Sequence, residues 1–142
     1  MTDVRTVDYG ITLLRVSLGV LLLAHGLLKI FVFTLPGTVG FFQSLGYPGV
    51  MAYLVVAVEV VAGLMMIAGL WTRWAALAAI PVLIGATMVH LGNGWLFSNP
   101  KGGWEFPAFW TVALAAQALL GDGAFRASAL LPGNQPRPAP AA

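Results

Sequence analysis

Four long apolar stretches, joined by short polar or Gly/Pro-rich segments, organise the chain. They run from about Tyr9 to Phe33, Val50 to Leu70, Trp74 to Gly92 and Glu105 to Gly121. An α-helix rises about 1.5 Å per residue, so roughly 20 apolar residues cross the hydrocarbon core of a bilayer. The pattern predicts an all-α protein: an integral membrane antiparallel four-helix bundle, with helices at about 9–33, 50–70, 74–92 and 105–121 in one domain, 1–131. The fourth is the shortest. Pro107 suits its first turn, and Glu105 complements the positive end of its dipole. Pro81 falls inside the third, where neighbouring helices must satisfy the freed carbonyl.

The joints differ in character. Thr34 to Gly49 is punctuated by Pro36, Gly37, Gly40, Gly46, Pro48 and Gly49, yet it contains the apolar run Val39-Gly40-Phe41-Phe42. This predicts a short interfacial helix or re-entrant turn on the mouth of the bundle. Trp71-Thr72-Arg73 reads as a tight turn, and Asn93 to Gly103 as a loop. Met1 to Asp8 is polar. The first apolar stretch is too long for a cleavable signal, and no A-x-A-like site follows it. The proline-rich segment 132–142 reads as a disordered tail.

Composition settles the solvent. Of 142 residues, 59% are hydrophobic and only 8% charged, against roughly 25% charged in a soluble domain. Such a chain has too little polar surface to cover itself in water. Its net charge of +2 is not clustered, which argues against nucleic-acid binding. With no cysteine, the chain itself has no thiol-disulfide exchange, thiolate metal site or iron-sulfur cluster. Arg5, Arg73, Arg126 and Arg137 fall on one side of the predicted membrane, whereas Lys101 lies on the other. The positive-inside rule then puts both termini of the multi-pass chain in the cytoplasm, the expected location being a bacterial inner (plasma) membrane, where the bacterial part is what the family resemblance given below implies. Trp71 and Trp74 fall at the inner boundary, Trp95 and Trp104 at the outer one, as aromatic belts do.

Charges within apolar spans are costly and usually face the bundle interior. At 100° per residue, Lys29 lies about 40° and His25 about 80° from Arg15 around the first helix. Gly19 and Gly26 share that face, and small residues there permit close helix packing. By rise per residue, His25 lies about 12 Å and Lys29 about 6 Å below the outer end, and Glu59 about 14 Å below the outer end of its helix. His90 and Glu105 lie near the outer ends of the third and fourth. These five groups predict an outward-facing polar pocket capped by Phe41-Phe42. Glu59, among Val, Ala, Leu and Met, must be protonated or paired, with Lys29, His25 or Arg15 as partner. The pair is either functional or a structural ion pair that fixes register. Gln117 reads as bonding a neighbouring helix, and Arg15 as a headgroup anchor or inner ion pair.

The sequence resembles the DoxX family of small four-helix bacterial membrane proteins. The resemblance is carried by Leu14-Arg15, His25-Gly26-Leu27-Leu28-Lys29, Leu45-Gly46-Tyr47-Pro48, Glu59 through Gly63-Leu64, Gly69-Leu70-Trp71-Thr72-Arg73 and Gly103-Trp104-Glu105-Phe106. It implies a membrane subunit of a redox complex. Some members look like the membrane subunit of thiosulfate:quinone oxidoreductase, and others associate with complexes handling thiol and oxidative stress.

The expected function is to bind a quinone or similar lipophilic ligand, at most as a quinone-linked oxidoreductase subunit acting with a soluble or membrane redox partner. A quinone needs hydrogen-bond donors, for which His25, Lys29 and His90 are candidates, and Glu59 could relay protons. Glu59, His25 and Lys29 are thus the candidate catalytic groups. His90 and Glu105 join them as ligand-binding candidates, and no metal-ligand set stands out. The alternative is a non-enzymatic scaffold or assembly factor for an oxidoreductase or metalloprotein. A haem held by His25 and His90 is disfavoured by a depth difference of about 7 Å. A small transporter or channel using the pocket is a further reading, for which four helices make a narrow pathway unless the chain forms a homo-oligomer.

Overall fold

A computed structural model describes residues 3–132. The expected tail, 132–142, lies outside them apart from Pro132. Among the described residues there are α1 (Val4–Phe31), α2 (Leu35–Ser44), α3 (Val50–Ala68), α4 (Thr72–His90) and α5 (Glu105–Leu120), with 3-10 turns at Leu91–Asn93 and Ala127–Leu130. Three stretches are long and apolar enough to cross a membrane: Val4–Phe31, Val50–Ala68 and Thr72–Asn93. Helix α5 is apolar but shorter, at 16 residues.

Helix α1 begins at Val4 rather than Tyr9, because polar residues make acceptable helix when capped. Asp3 supplies the cap, its carboxylate accepting from Arg5 N–H at 3.1 Å. The connector forms α2, started by Thr34, whose hydroxyl accepts from Gly37 N–H, with Pro36 in the first turn. Gly69 ends α3 at φ +69°, a left-handed cap that glycine adopts without a Cβ penalty.

Helix α1 packs along α3, α3 against α4, α4 along α5, and α5 returns to α1; α2 rests on α1 and α3. The core draws on α1, α3, α4 and α5: Leu18 and Leu22; Ala62 and Met66; Ala75, Ala76, Ala79 and Leu83; Trp110, Ala113, Leu114 and Ala118. The many alanines allow backbones to approach closely. The closest crossing is α1 on α3. A Cβ on Gly63 would lie 2.7 Å from Leu23 N, and one on Gly19 would lie 2.9 Å from Gly63 O.

The outward faces carry large apolar side chains at two-turn intervals: Leu13, Val20 and Leu27 on α1; Leu54 and Val61 on α3; Leu77, Ile84 and Leu91 along α4; Val112 and Leu119 on α5. An apolar coat this continuous has no place in water. Trp71, Trp74 and Trp95 are also exposed.

Candidate functional site

The close α1–α3 crossing places Lys29 against Glu59. The Lys29 ammonium donates to both carboxylate oxygens, at 2.7 and 2.8 Å. The side chains are 20% and 6% exposed, so water screens the pair weakly. Gly26 makes room for it: a Cβ there would lie 2.7 Å from Val60 Cγ2 and 3.2 Å from Glu59 Cβ. Of the three partners expected for Glu59, Lys29 is the one in contact.

A cavity of about 440 Å³ opens beside the pair, lined by His25, Lys29, Glu59 and His90. The rest of its wall is mostly apolar, including Phe41, Phe42 and Leu45 from α2 and its end, Met51 and Val55 from α3, and Phe106 and Trp110 from α5. Thr38 anchors α2 over this space. Its buried hydroxyl lies 3.1 Å from the Lys29 carbonyl and 2.9 Å from that of Thr34. His25 is held edge-on to Trp110, with ring centroids 4.9 Å apart, and stacks on Phe106 at 6.4 Å.

Both imidazoles are pinned in the same way. Nδ1 of His25 lies 2.9 Å from Leu21 O, and Nδ1 of His90 lies 2.8 Å from Ala86 O. A carbonyl only accepts, so Nδ1 carries the proton and Nε2 of the neutral ring is an acceptor. In that tautomer Nε2 offers a lone pair, whereas the sequence reading casts the histidines as donors.

Glu105 lies outside the cavity lining. It accepts from Phe97 N–H at 3.0 Å and fastens the loop before α5. That loop folds back tightly: Trp104 N–H donates to Gly94 O at 3.1 Å, Glu105 N–H to Trp95 O at 3.2 Å, and Gly103 packs directly on the backbone of Trp95 and Leu96. Phe97, Gly102 and Gly103 thereby become part of the cavity wall.

Arg15 belongs to a second polar cluster, where the end of α5 meets the α3–α4 turn. Its buried guanidinium donates to the carbonyls of Ala124 (3.3 Å) and Phe125 (3.1 Å) and lies directly on Gly69. Asp122 accepts from Thr72 N–H at 3.1 Å and from the Ser128 hydroxyl at 2.6 Å. Burial alone would raise the Asp122 pKa; the bonds from Ser128 and Thr72 and the nearby Arg126 outweigh it and hold the carboxyl below its usual range. Gln117 does not bond a neighbouring helix: its amide donates to Gly121 O at 2.7 Å, closing the end of α5. Asp122, Phe106 and Trp110 are the residues that sequence reasoning missed.

An all-α chain with several helices fit to span a bilayer and a largely apolar internal cavity is a membrane protein. It belongs to the DoxX family, whose family description matches residues 10–92, more than half of the chain. The match covers most of α1 together with α2, α3 and α4, and ends before α5. A curated protein of Bacillus subtilis (strain 168), named "Putative oxidoreductase CatD", is 38% identical over 82 residues, or 58% of this chain. The match spans 60% of that relative's length. No solved structure matches the chain.

Proposed function

We propose that the chain is a membrane subunit of a bacterial redox complex that binds a quinone or similar lipophilic ligand in the cavity between His25, Lys29, Glu59 and His90. In this reading α1, α3, α4 and α5 cross the plasma membrane as an antiparallel bundle with both termini cytoplasmic. The cavity then faces outward beneath α2. One observation carries the proposal: a largely apolar space of about 440 Å³ has an ion pair and two ring nitrogens in its wall. Ligand pockets are typically about 300–1,000 Å³, mostly apolar, with a few placed polar groups. The relative named as an oxidoreductase supports the redox side of the reading. The chain has no cysteine couple of its own, so electrons would come from a partner protein.

The test is to purify the protein in mild detergent, extract and identify bound lipophilic molecules, and repeat with Glu59→Gln. A co-purifying quinone, depleted in the variant, supports the proposal. A quinone-free preparation that also fails to bind added quinone counts against it.

The scaffold reading draws on one feature. The Lys29–Glu59 pair is already mutually satisfied, and it fixes the register of α1 on α3 without any ligand. Co-purification of a partner, with function unchanged in His25→Phe and His90→Phe, favours that alternative.

A further inference from the structure

The hydrogen-bonding character of the cavity is lopsided. His25 and His90 both line it, and each has its Nδ1 proton committed to its own helix, at 2.9 and 2.8 Å. Neither Nε2 has a hydrogen-bond partner among the described residues, and neither is a sealed, unpartnered atom. The cavity therefore holds two free acceptors on separate helices. Glu59 adds further acceptor capacity, because its oxygens have lone pairs beyond those taken by Lys29.

Donors are scarcer. Two of the three Lys29 ammonium protons point at Glu59, which leaves one. Tyr47, at the mouth and 39% exposed, can give or take a proton. The indole N–H of Trp110 is fully covered, and the other α5 side chains in the wall are Phe106 and Pro107.

A quinone presents only acceptors to such a wall; its reduced form presents two O–H donors. We infer that the cavity selects the quinol form of its aromatic ligand over the quinone, with Nε2 of His25 and of His90 accepting from the two hydroxyls. The inference rests on the ligand reading proposed above and adds the oxidation state that the site prefers. A polar site rejects an analogue that leaves its buried groups unpaired. Two such bonds place the preference on the order of tenfold or more. Binding the reduced form about tenfold more tightly raises the two-electron potential of the bound couple by about 30 mV. The site would then draw electrons toward bound ligand and hold the quinol.

The experiment uses the full chain in detergent under anaerobic conditions, with tetramethyl-1,4-benzoquinol, its monomethyl ether and tetramethyl-1,4-benzoquinone as probes. Affinities are measured by titration calorimetry against micelle blanks. The quinol should bind about tenfold more tightly than the quinone, and the monomethyl ether, which lacks one donor, should bind distinctly more weakly than the quinol. The double variant His25→Phe, His90→Phe should lose the preference. If that variant fails to fold, the wild-type series of three probes still decides. A quinol-to-quinone preference of about threefold or less, or one that the double variant keeps, overturns the inference while leaving the cavity as a quinone site. Binding of none of the probes removes the ligand reading as well.

Discussion

Replacing Lys29 with methionine isolates the contact on which the site depends. Methionine keeps most of the side chain's bulk and removes the ammonium that donates to both Glu59 oxygens at 2.7 and 2.8 Å. The carboxylate left behind is 6% exposed, so water replaces the ammonium only in part. Breaking a buried pair from one side costs about 3–5 kcal/mol. Lys29→Met should therefore destabilise by about 3–5 kcal/mol.

The assay is reversible unfolding in mixed micelles with rising dodecyl sulfate, followed by tryptophan fluorescence. It should include Glu59→Met and the double variant as a thermodynamic cycle. The double variant removes both charges and should fall within about 2 kcal/mol of wild type, giving a coupling of about 2 kcal/mol or more. A single-variant cost below about 1 kcal/mol with coupling under about 0.5 kcal/mol would refute the reasoning, because the charges would then not be desolvated against each other.

Gly63→Val should cost about 1–3 kcal/mol and separate Lys29 from Glu59, since a Cβ at Gly63 meets Leu23 N at 2.7 Å. Gly10→Ala, with nothing within 4 Å, should be neutral or stabilising by about 0.5–1 kcal/mol in the same assay. Asp122 is held below its usual pKa when folded, so its contribution is present above the unfolded value of about 3.9 and is lost as pH falls through the folded value. Asp122→Asn should accordingly be less stable than wild type at pH 7, and the gap should close below about pH 4. Thr38→Val removes the hydroxyl that ties α2 to the Lys29 carbonyl. Amide exchange across Leu35–Ser44 should accelerate about fivefold or more, matching a loss of about 1 kcal/mol.

Helix positions were legible because lipid leaves one solution for a backbone that water cannot satisfy: runs of about 20 apolar residues become helices. The Lys29–Glu59 contact was legible for a related reason. Glu59 must have a partner, and Lys29 was one of three candidates on the glycine face of α1, its long side chain able to span the difference of about 8 Å in estimated depth. Other features depend on tertiary placement. Phe106 and Trp110 read as ordinary apolar residues of the last helix, and only the packing of α5 sets them against His25. Asp122 lies in a polar, glycine-flanked stretch with no periodicity, and its partner Thr72 is 50 positions away. Glu105 does open α5, as its helix-start signal said, but its bond to the loop was not legible, because only the fold-back of Gly94–Trp104 brings Phe97 N–H to it. Arg15 shares a face with His25 and Lys29 but sits about 15 Å further along α1 than His25, too far to reach the same cavity.

The central claim is that polar groups from separate helices meet at one apolar cavity and that a lipophilic ligand binds there. A photoreactive azidoquinone, activated in membranes containing the protein and mapped by peptide mass spectrometry, tests this most directly. The account predicts labels on Phe42, Met51 and Val55, suppressed by excess unlabelled quinol. Labels confined to outward residues such as Leu54, Val61 and Val112, and insensitive to competition, would contradict it.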